Sequence, residues 1–262
     1  MPPTVASLHV YPIKSLGGFA VSEAHIGDRG FVHDRRWMLV MGHDEFITQR
    51  EVPAMACLHC APHDEGFRVT DIRGGGSIHL PWTISGGEER RATIWSDTVH
   101  VLPAPTEVST WFAQHLGVPC RLVFMPDSAQ RPVNPTYAVG ITSLSDGYPY
   151  LILSQASLDD LNARLDTPLP MERFRPNIVI TGGDAYQEDA WKEIAIGHAR
   201  FSLVKPCMRC VIPNTDQRTA ERSKEPLRTL ATYRTHNNGV RFGMNAMALD
   251  GDVLSLGDRV SI

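Results

Sequence analysis

The chain opens on a short alternation. From Val5 to Tyr11 apolar and polar residues take turns in a β-rich run, which predicts a strand with one buried face. Pro12, Gly17 and Gly18 then enforce a turn that carries Lys14 and Ser15. Further strand-like runs follow at Val21–Ile26, Arg36–Met41, Glu45–Thr48, Met55–Cys60 and Phe67–Ile72, then at Ser77–Leu80, Glu89–Trp95 and Val99–Leu102. Glycine-rich turns at 74–76 and 86–87 separate some of these. Short strands at such spacing predict an antiparallel barrel or sandwich for about the first hundred residues.

The period changes after Pro103. Val108, Trp111, Phe112 and Leu116 recur at helical spacing, between Thr106 as N-cap and Gly117 as stop. Cys120–Phe124 reads as a strand, Ser128–Gly140 as an ordered proline-bearing loop, and Tyr150–Ser154 as an apolar strand. Ser157, with Asp160 three residues on, predicts a capped helix over Leu158–Leu165. Strands are predicted at Ile178–Ile180, Glu193–Ile196, Arg200–Val204, Gly243–Leu249 and Leu254–Leu256, with a helix over Pro226–Arg234 and a last strand after Gly257 and Asp258. The fold class is therefore mainly β with a few helices. Its softest boundary lies at Leu102–Glu107, beside Pro103 and Pro105.

Composition narrows the function classes. A net charge of −4 gives no support to a nucleic-acid partner. Five cysteines, an odd number in a chain too long to need disulfide staples, favour a reducing compartment. The N-terminus lacks the basic and apolar regions of a secretory signal, and no apolar run approaches the roughly 18 residues that span a bilayer. The expectation is a cytoplasmic protein with no membrane partner.

Chemistry concentrates in Phe201–Asp216, where a strand leads through Pro206 into Cys207, Met208, Arg209 and Cys210. A second C-x-x-C pair, Cys57 and Cys60, lies about 147 residues earlier, far outside zinc-ribbon spacing, and falls in a predicted strand whose positions three apart face opposite sides. Buried, inert roles suit Cys57, Cys60 and Cys120 better. Thioredoxin-like chemistry wants a helix after the pair, and VIPNTD does not start one. A soft-metal thiolate with Arg209 beside it fits best. Three other strand ends join a cation to a hydrogen-bonding side chain, as anion binding requires: Lys14 with Ser15, Asp34 with Arg35, and Arg175 with Asn177. The loop from Gly140 to Tyr148 adds Asp146 and Gly147.

The ordered set YPIKS, HDRRW, YLILSQASLDDLN, FRPNIVI, CMRC with NTD, SKEPLRTL and FGMN resembles the MOSC superfamily almost end to end, above all its amidoxime-reducing-component and YcbX-type branches. The resemblance implies a MOSC N-terminal β-barrel domain over residues 1–104 and a β-barrel MOSC domain over 105–262, with helical insertions at about 106–117 and 157–165. It implies the molybdenum cofactor, with Cys210 as metal ligand. It also implies cofactor contacts from Lys14, Ser15, Arg35, Asp146, Gly147, Arg175, Asn177, Met208, Arg209 and Asn245. Met208 replaces a serine frequent in the superfamily. Pyridoxal phosphate binding is a further superfamily property. The activity implied is reduction of small N-hydroxylated compounds, with electrons from a separate ferredoxin-type, cytochrome-type or flavin-reductase donor, since no cluster-binding cysteines follow Cys210. Alternatives are a carrier of the cofactor or of sulfur, and a structural zinc protein with a ligand-binding barrel. His33, near Arg35, titrates in a useful range, although a lone histidine is more often structural.

Overall fold

The run Trp37–Met41 is apolar throughout because both of its faces are covered. A computed structural model describes residues 2–262 of the chain. In it, Trp37–Met41 joins Glu45–Phe46, Arg90–Ile94, Asp97–Pro103 and Arg121–Phe124 in a closed barrel. Met38, Val40, Ile94, Val99, Val101 and Val123 meet in its interior. The alternate residues Trp37, Leu39, Leu122 and Phe124 pack outward into a second core. There they meet Val108, Phe112 and Leu116 of the helix Thr106–Leu116, and Leu58, Phe67 and Val69 of the sheet formed by Leu58–His63, Gly66–Asp71 and Gly76–Pro81.

The largest sheet gathers strands from both ends of the chain. Its order is Phe19–Val21, Thr4–Val10, Ile178–Thr181, Tyr150–Ser154, Gly239–Asp250, Ala199–Met208, Glu193–Ile196 and Val260–Ser261, with Thr235–His236 paired on Gly239–Asp250. The opening strand thus pairs antiparallel with Ile178–Thr181, Leu8 opposite Ile178. Ile178 lies level with Ile152, and Leu151 pairs with Asn245. Along Tyr150–Ser154 the pleat sends Tyr150 and Ile152 to one core, and Leu151 and Leu153 to another that includes Phe174 and Phe242.

Local chemistry shifts several predicted boundaries. The helix Thr106–Leu116 has Pro105 rather than Thr106 at its N-cap, and it ends at Gly117 in the left-handed conformation (φ 69°). The next helix runs Gln155–Asn162. Its cap is Ser154, whose side chain accepts from the Ser157 N–H, while the Ser157 hydroxyl donates to Glu188. The cap therefore falls three residues before the predicted Ser157, because the helix leaves the strand directly. Met55–Cys60 divides into a 3-10 turn, Pro53–Cys57, and the strand from Leu58. Pro226–Arg234 shortens to a helix over Leu227–Ala231. Arg200–Val204 lengthens to Ala199–Met208, with register shifts that accommodate Pro206. Among the described residues no helix is long and apolar enough to cross a membrane.

Candidate functional site

One cavity takes residues from seven separate stretches of the chain. It is lined by Lys14, Ser15, Arg35, Asp146, Gly147, Arg175, Asn177, Met208, Arg209, Cys210 and Asn245, so the implied metal ligand and all the implied cofactor contacts meet in one place. Hydrogen bonding explains the convergence. The turn after the first strand is stapled to the segment before the barrel: Lys14 N–H donates to Trp37 O, and Arg35 N–H to Tyr11 O. Tyr11 N–H in turn donates to Asp34 Oδ1 at 2.9 Å. On the sheet, Asn177 N–H donates to Leu151 O, which sets Asn177 beside Leu151 and its partner Asn245.

The deepest part is a buried polar network. Arg35 Nη1 donates to Asp34 Oδ2 at 2.6 Å and to Asn177 Oδ1 at 2.9 Å, and Arg35 Nη2 reaches Arg175 O at 3.2 Å. Arg175 Nη1 donates to Leu16 O at 2.5 Å, whereas its Nη2 is buried with no protein partner. Each guanidinium lies 4.4 Å from the centroid of the Tyr11 ring. Burial, reinforced by Arg35, pulls the Arg175 guanidinium down to about 10, and burial pushes Tyr11 up to about 12. A buried guanidinium N–H that lacks a protein acceptor is suited to donate to a bound anion.

Backbone conformation points the same way. Ser15 (φ 68°), Arg35 (φ 47°) and Arg175 (φ 56°) all hold left-handed conformations without being glycine. Such residues cost on the order of 1–3 kcal/mol each and gather at functional sites. Here three of them line one cavity.

Nearer the thiols, Asp146 joins the two sides. Its Oδ1 accepts from Lys14 Nζ at 2.5 Å, and its Oδ2 from Arg50 Nη2 at 3.0 Å. Burial would raise the Asp146 carboxyl, but Lys14 and Arg50 outweigh it and hold the group well below the usual carboxylate range. Burial pulls the Lys14 ammonium down to about 8 against the opposing pull of Asp146. The buried Arg131 holds the loop in place by donating to the carbonyls of Ser143, Ser145 and Asp146.

The cation beside Cys210 is not Arg209. Arg209 Nη1 contacts Cys207 Sγ at 3.1 Å and its Nη2 donates to Phe174 O. Cys210 Sγ is instead met by Arg50 Nη2 at 3.1 Å. No motif singles out Arg50, which approaches the thiol only through tertiary pairing. Ser145 and Tyr148 of the Gly140–Tyr148 loop, Leu151 and Phe174 of two quoted motifs, and Ile212 also line the cavity, and Cys207 shares it. His33 lies outside the lining, its ring stacked on Trp82 at 4.3 Å. Cys57, Cys60 and Cys120 are buried, and Cys57 Sγ donates to Arg218 O. Among the described residues no group of three or more His, Cys, Asp and Glu side chains is placed to hold a metal. A metal in this cavity would need most of its ligands from a group bound with it.

Residues 140–261 match the MOSC domain and residues 2–119 the MOSC N-terminal beta barrel domain. Mitochondrial amidoxime-reducing component 1 of Mus musculus is 34% identical over 243 residues, which cover 88% of this chain and 71% of that one. The chain belongs to the MOSC family. Within that family, mitochondrial amidoxime reducing component 2 of Homo sapiens is 33% identical over 245 residues, covering 88% of this MOSC chain and 72% of the relative. Molybdenum cofactor sulfurase of Homo sapiens is 28% identical over 288 residues, covering 99% of this chain but 32% of the sulfurase. The MOSC chain therefore spans about a third of the sulfurases it matches and about seven-tenths of the amidoxime-reducing components.

Proposed function

We propose that this MOSC protein binds the molybdenum cofactor and reduces N-hydroxylated compounds such as amidoximes, hydroxamic acids and N-hydroxylated bases. The observation that carries the reading is the sharing of one cavity by Cys210 and the buried Arg35–Arg175 pair. A soft ligand and an anion seat are the two features that a metal held by a phosphate-bearing dithiolene requires. The residues fit such a group. Arg175 Nη2 is a buried donor without a protein partner, and the donor set holds thiol sulfur and five cations (Lys14, Arg35, Arg50, Arg175 and Arg209) with Asp146 as the one carboxylate among the lining residues.

When bound, the cofactor supplies a two-electron centre for cleaving the N–O bond. The chain does the rest. Cys210 offers a third sulfur, beyond the two of the dithiolene. Arg35, Arg175, Lys14 and Ser15 hold the phosphate. Asn177, Asn245, Asp146, Gly147, Met208 and Arg209 offer polar or backbone contacts to the heterocycle. Electrons come from a separate ferredoxin-type, cytochrome-type or flavin-reductase partner.

A second reading makes the protein a carrier of the cofactor or of sulfur, and the similarity to cofactor sulfurases across nearly the whole chain favours it. One preparation, from cells able to make the cofactor, tests both. Stoichiometric molybdenum and pterin in the parent, lost in Cys210→Ala, are expected; zinc with no molybdenum would sink the proposal. Reduction of benzamidoxime by the loaded protein with a chemical donor supports the enzyme. Inertness of loaded protein across N-hydroxylated substrates supports the carrier.

A further inference from the structure

The Arg50 guanidinium is unusually well fixed for an arginine whose contact with the cavity crosses 160 positions of sequence. A single nitrogen, Nη2, donates to Asp146 Oδ2 at 3.0 Å and to Cys210 Sγ at 3.1 Å. That nitrogen carries two hydrogens, so one can serve each acceptor. Nη1 lies 3.3 Å from Thr48 Oγ1, and the guanidinium carbon sits 4.8 Å from the centroid of the Trp95 ring. The backbone is tied as well, because Arg222 Nη2 donates to the carbonyls of both Gln49 and Arg50. Asp146 is itself anchored by Lys14, and its carbonyl by Arg131. A freely moving surface arginine has none of these restraints.

Cys207 lies on a different cation. Arg209 Nη1 stands 3.1 Å from Cys207 Sγ, and its Nη2 donates to Phe174 O rather than to the neighbouring Cys210. The two sulfurs of C-x-x-C are thus served by separate guanidinium groups, one local and one from the barrel side of the cavity.

We propose that Arg50 is the positioning residue of Cys210, holding its sulfur toward the cavity by a hydrogen bond whose direction is set by Asp146. The donor is aimed by a carboxylate and an aromatic face before any ligand arrives, so the sulfur presents its remaining lone pairs to the cavity. Arg209 performs no such service for Cys210. In the loaded protein the inference rests on the function proposed above. There, a donor on the ligand sulfur draws electron density from it and raises the reduction potential of the bound metal.

The test separates the two claims. Metal-free folded protein is treated with iodoacetamide at one fixed pH, and alkylation of Cys210 and Cys207 is followed by peptide mass spectrometry. Arg50→Gln is expected to slow Cys210 about threefold and leave Cys207 unchanged, while Arg209→Gln does the reverse. Arg50→Lys, which keeps a charged donor, recovers part of the Cys210 rate. Melting curves on the same samples exclude unfolding as the cause. Unchanged Cys210 alkylation in folded Arg50→Gln overturns the inference, as does an equal loss in Arg209→Gln. In loaded protein, Arg50→Gln shifts the metal potential to more negative values; an unshifted potential with metal retained also overturns it. Absence of molybdenum from the parent sinks the functional reading alone, because the alkylation experiment still decides the role of Arg50.

Discussion

Arg35 and Arg175 rest against the same aromatic ring, each guanidinium 4.4 Å from the centroid of Tyr11. Two like charges are tolerated there because the ring faces are electron-rich and Asp34 is buried beside Arg35. Among the described residues no carboxylate forms an ion pair with Arg175. Replacing it with methionine removes a repulsion along with a hydrogen bond to Leu16, so stability should change by no more than about 1–2 kcal/mol. Cofactor retention should fall by roughly tenfold or more, the loss of one charge-assisted phosphate contact. Denaturant melts and pterin fluorescence of the same Arg175→Met sample check both halves.

The two cysteines of the cavity should separate cleanly. Cys210→Ala is expected to abolish molybdenum content, and Cys207→Ser to preserve it, by metal analysis of purified protein. Loss of metal in both variants would make Cys207 part of the site.

Lys14 gives the cavity a pH dependence. Its ammonium is pulled from 10.5 to about 8 by burial, so it loses its charge just above neutrality. Binding of an inorganic phosphate probe should weaken as pH rises through about 8, and Lys14→Met should flatten that profile. Stability responds in the opposite sense. Between about 8 and 10.5 the unfolded chain holds a proton that the folded chain has released, so the Lys14 contribution increases with pH across this window and is lost as pH falls through about 8. The difference between parent and Lys14→Met unfolding free energies across that range isolates it.

Arg131 is a structural test at a distance from the thiols. Its side chain is 4% exposed and pairs with a partly exposed Asp97 while donating to the loop of Ser143–Asp146. Arg131→Met should cost about 2–3 kcal/mol in urea unfolding, since loop carbonyls lose their donor and Asp97 its partner. It should also weaken retention of the cofactor by loosening Asp146. A loss of stability below about 0.5 kcal/mol would mean that the loop holds itself.

Much of the fold and site is written in local pattern. The alternation of Thr4–Val10, the spacing of Val108, Phe112 and Leu116, and the cation–amide pairs at strand ends are readable because each depends on neighbours within a few positions. What is not readable depends on distant pairing. Arg50 sits in ITQREVP, which carries no signature, and its meeting with Cys210 spans 160 positions of sequence. Arg209 has the spacing of a thiol partner for Cys210, yet its guanidinium meets Cys207. Ser157 has the right company for a cap, but Ser154 takes the role because the helix follows its strand without a loop.

The pairing of Thr4–Val10 with Ile178–Thr181 carries a consequence for biosynthesis. A ribosome has delivered the first seven-residue strand of the sheet long before its partner exists. Lys14 meets Trp37 early, but its side-chain partner Asp146 lies 132 positions further on. Assembly of the cavity is a late, long-range event of the kind that folds slowly and exposes strand edges meanwhile. Fragments cut between the two family segments would each lack a strand the other holds, and only their recombination should restore a cavity able to retain a ligand.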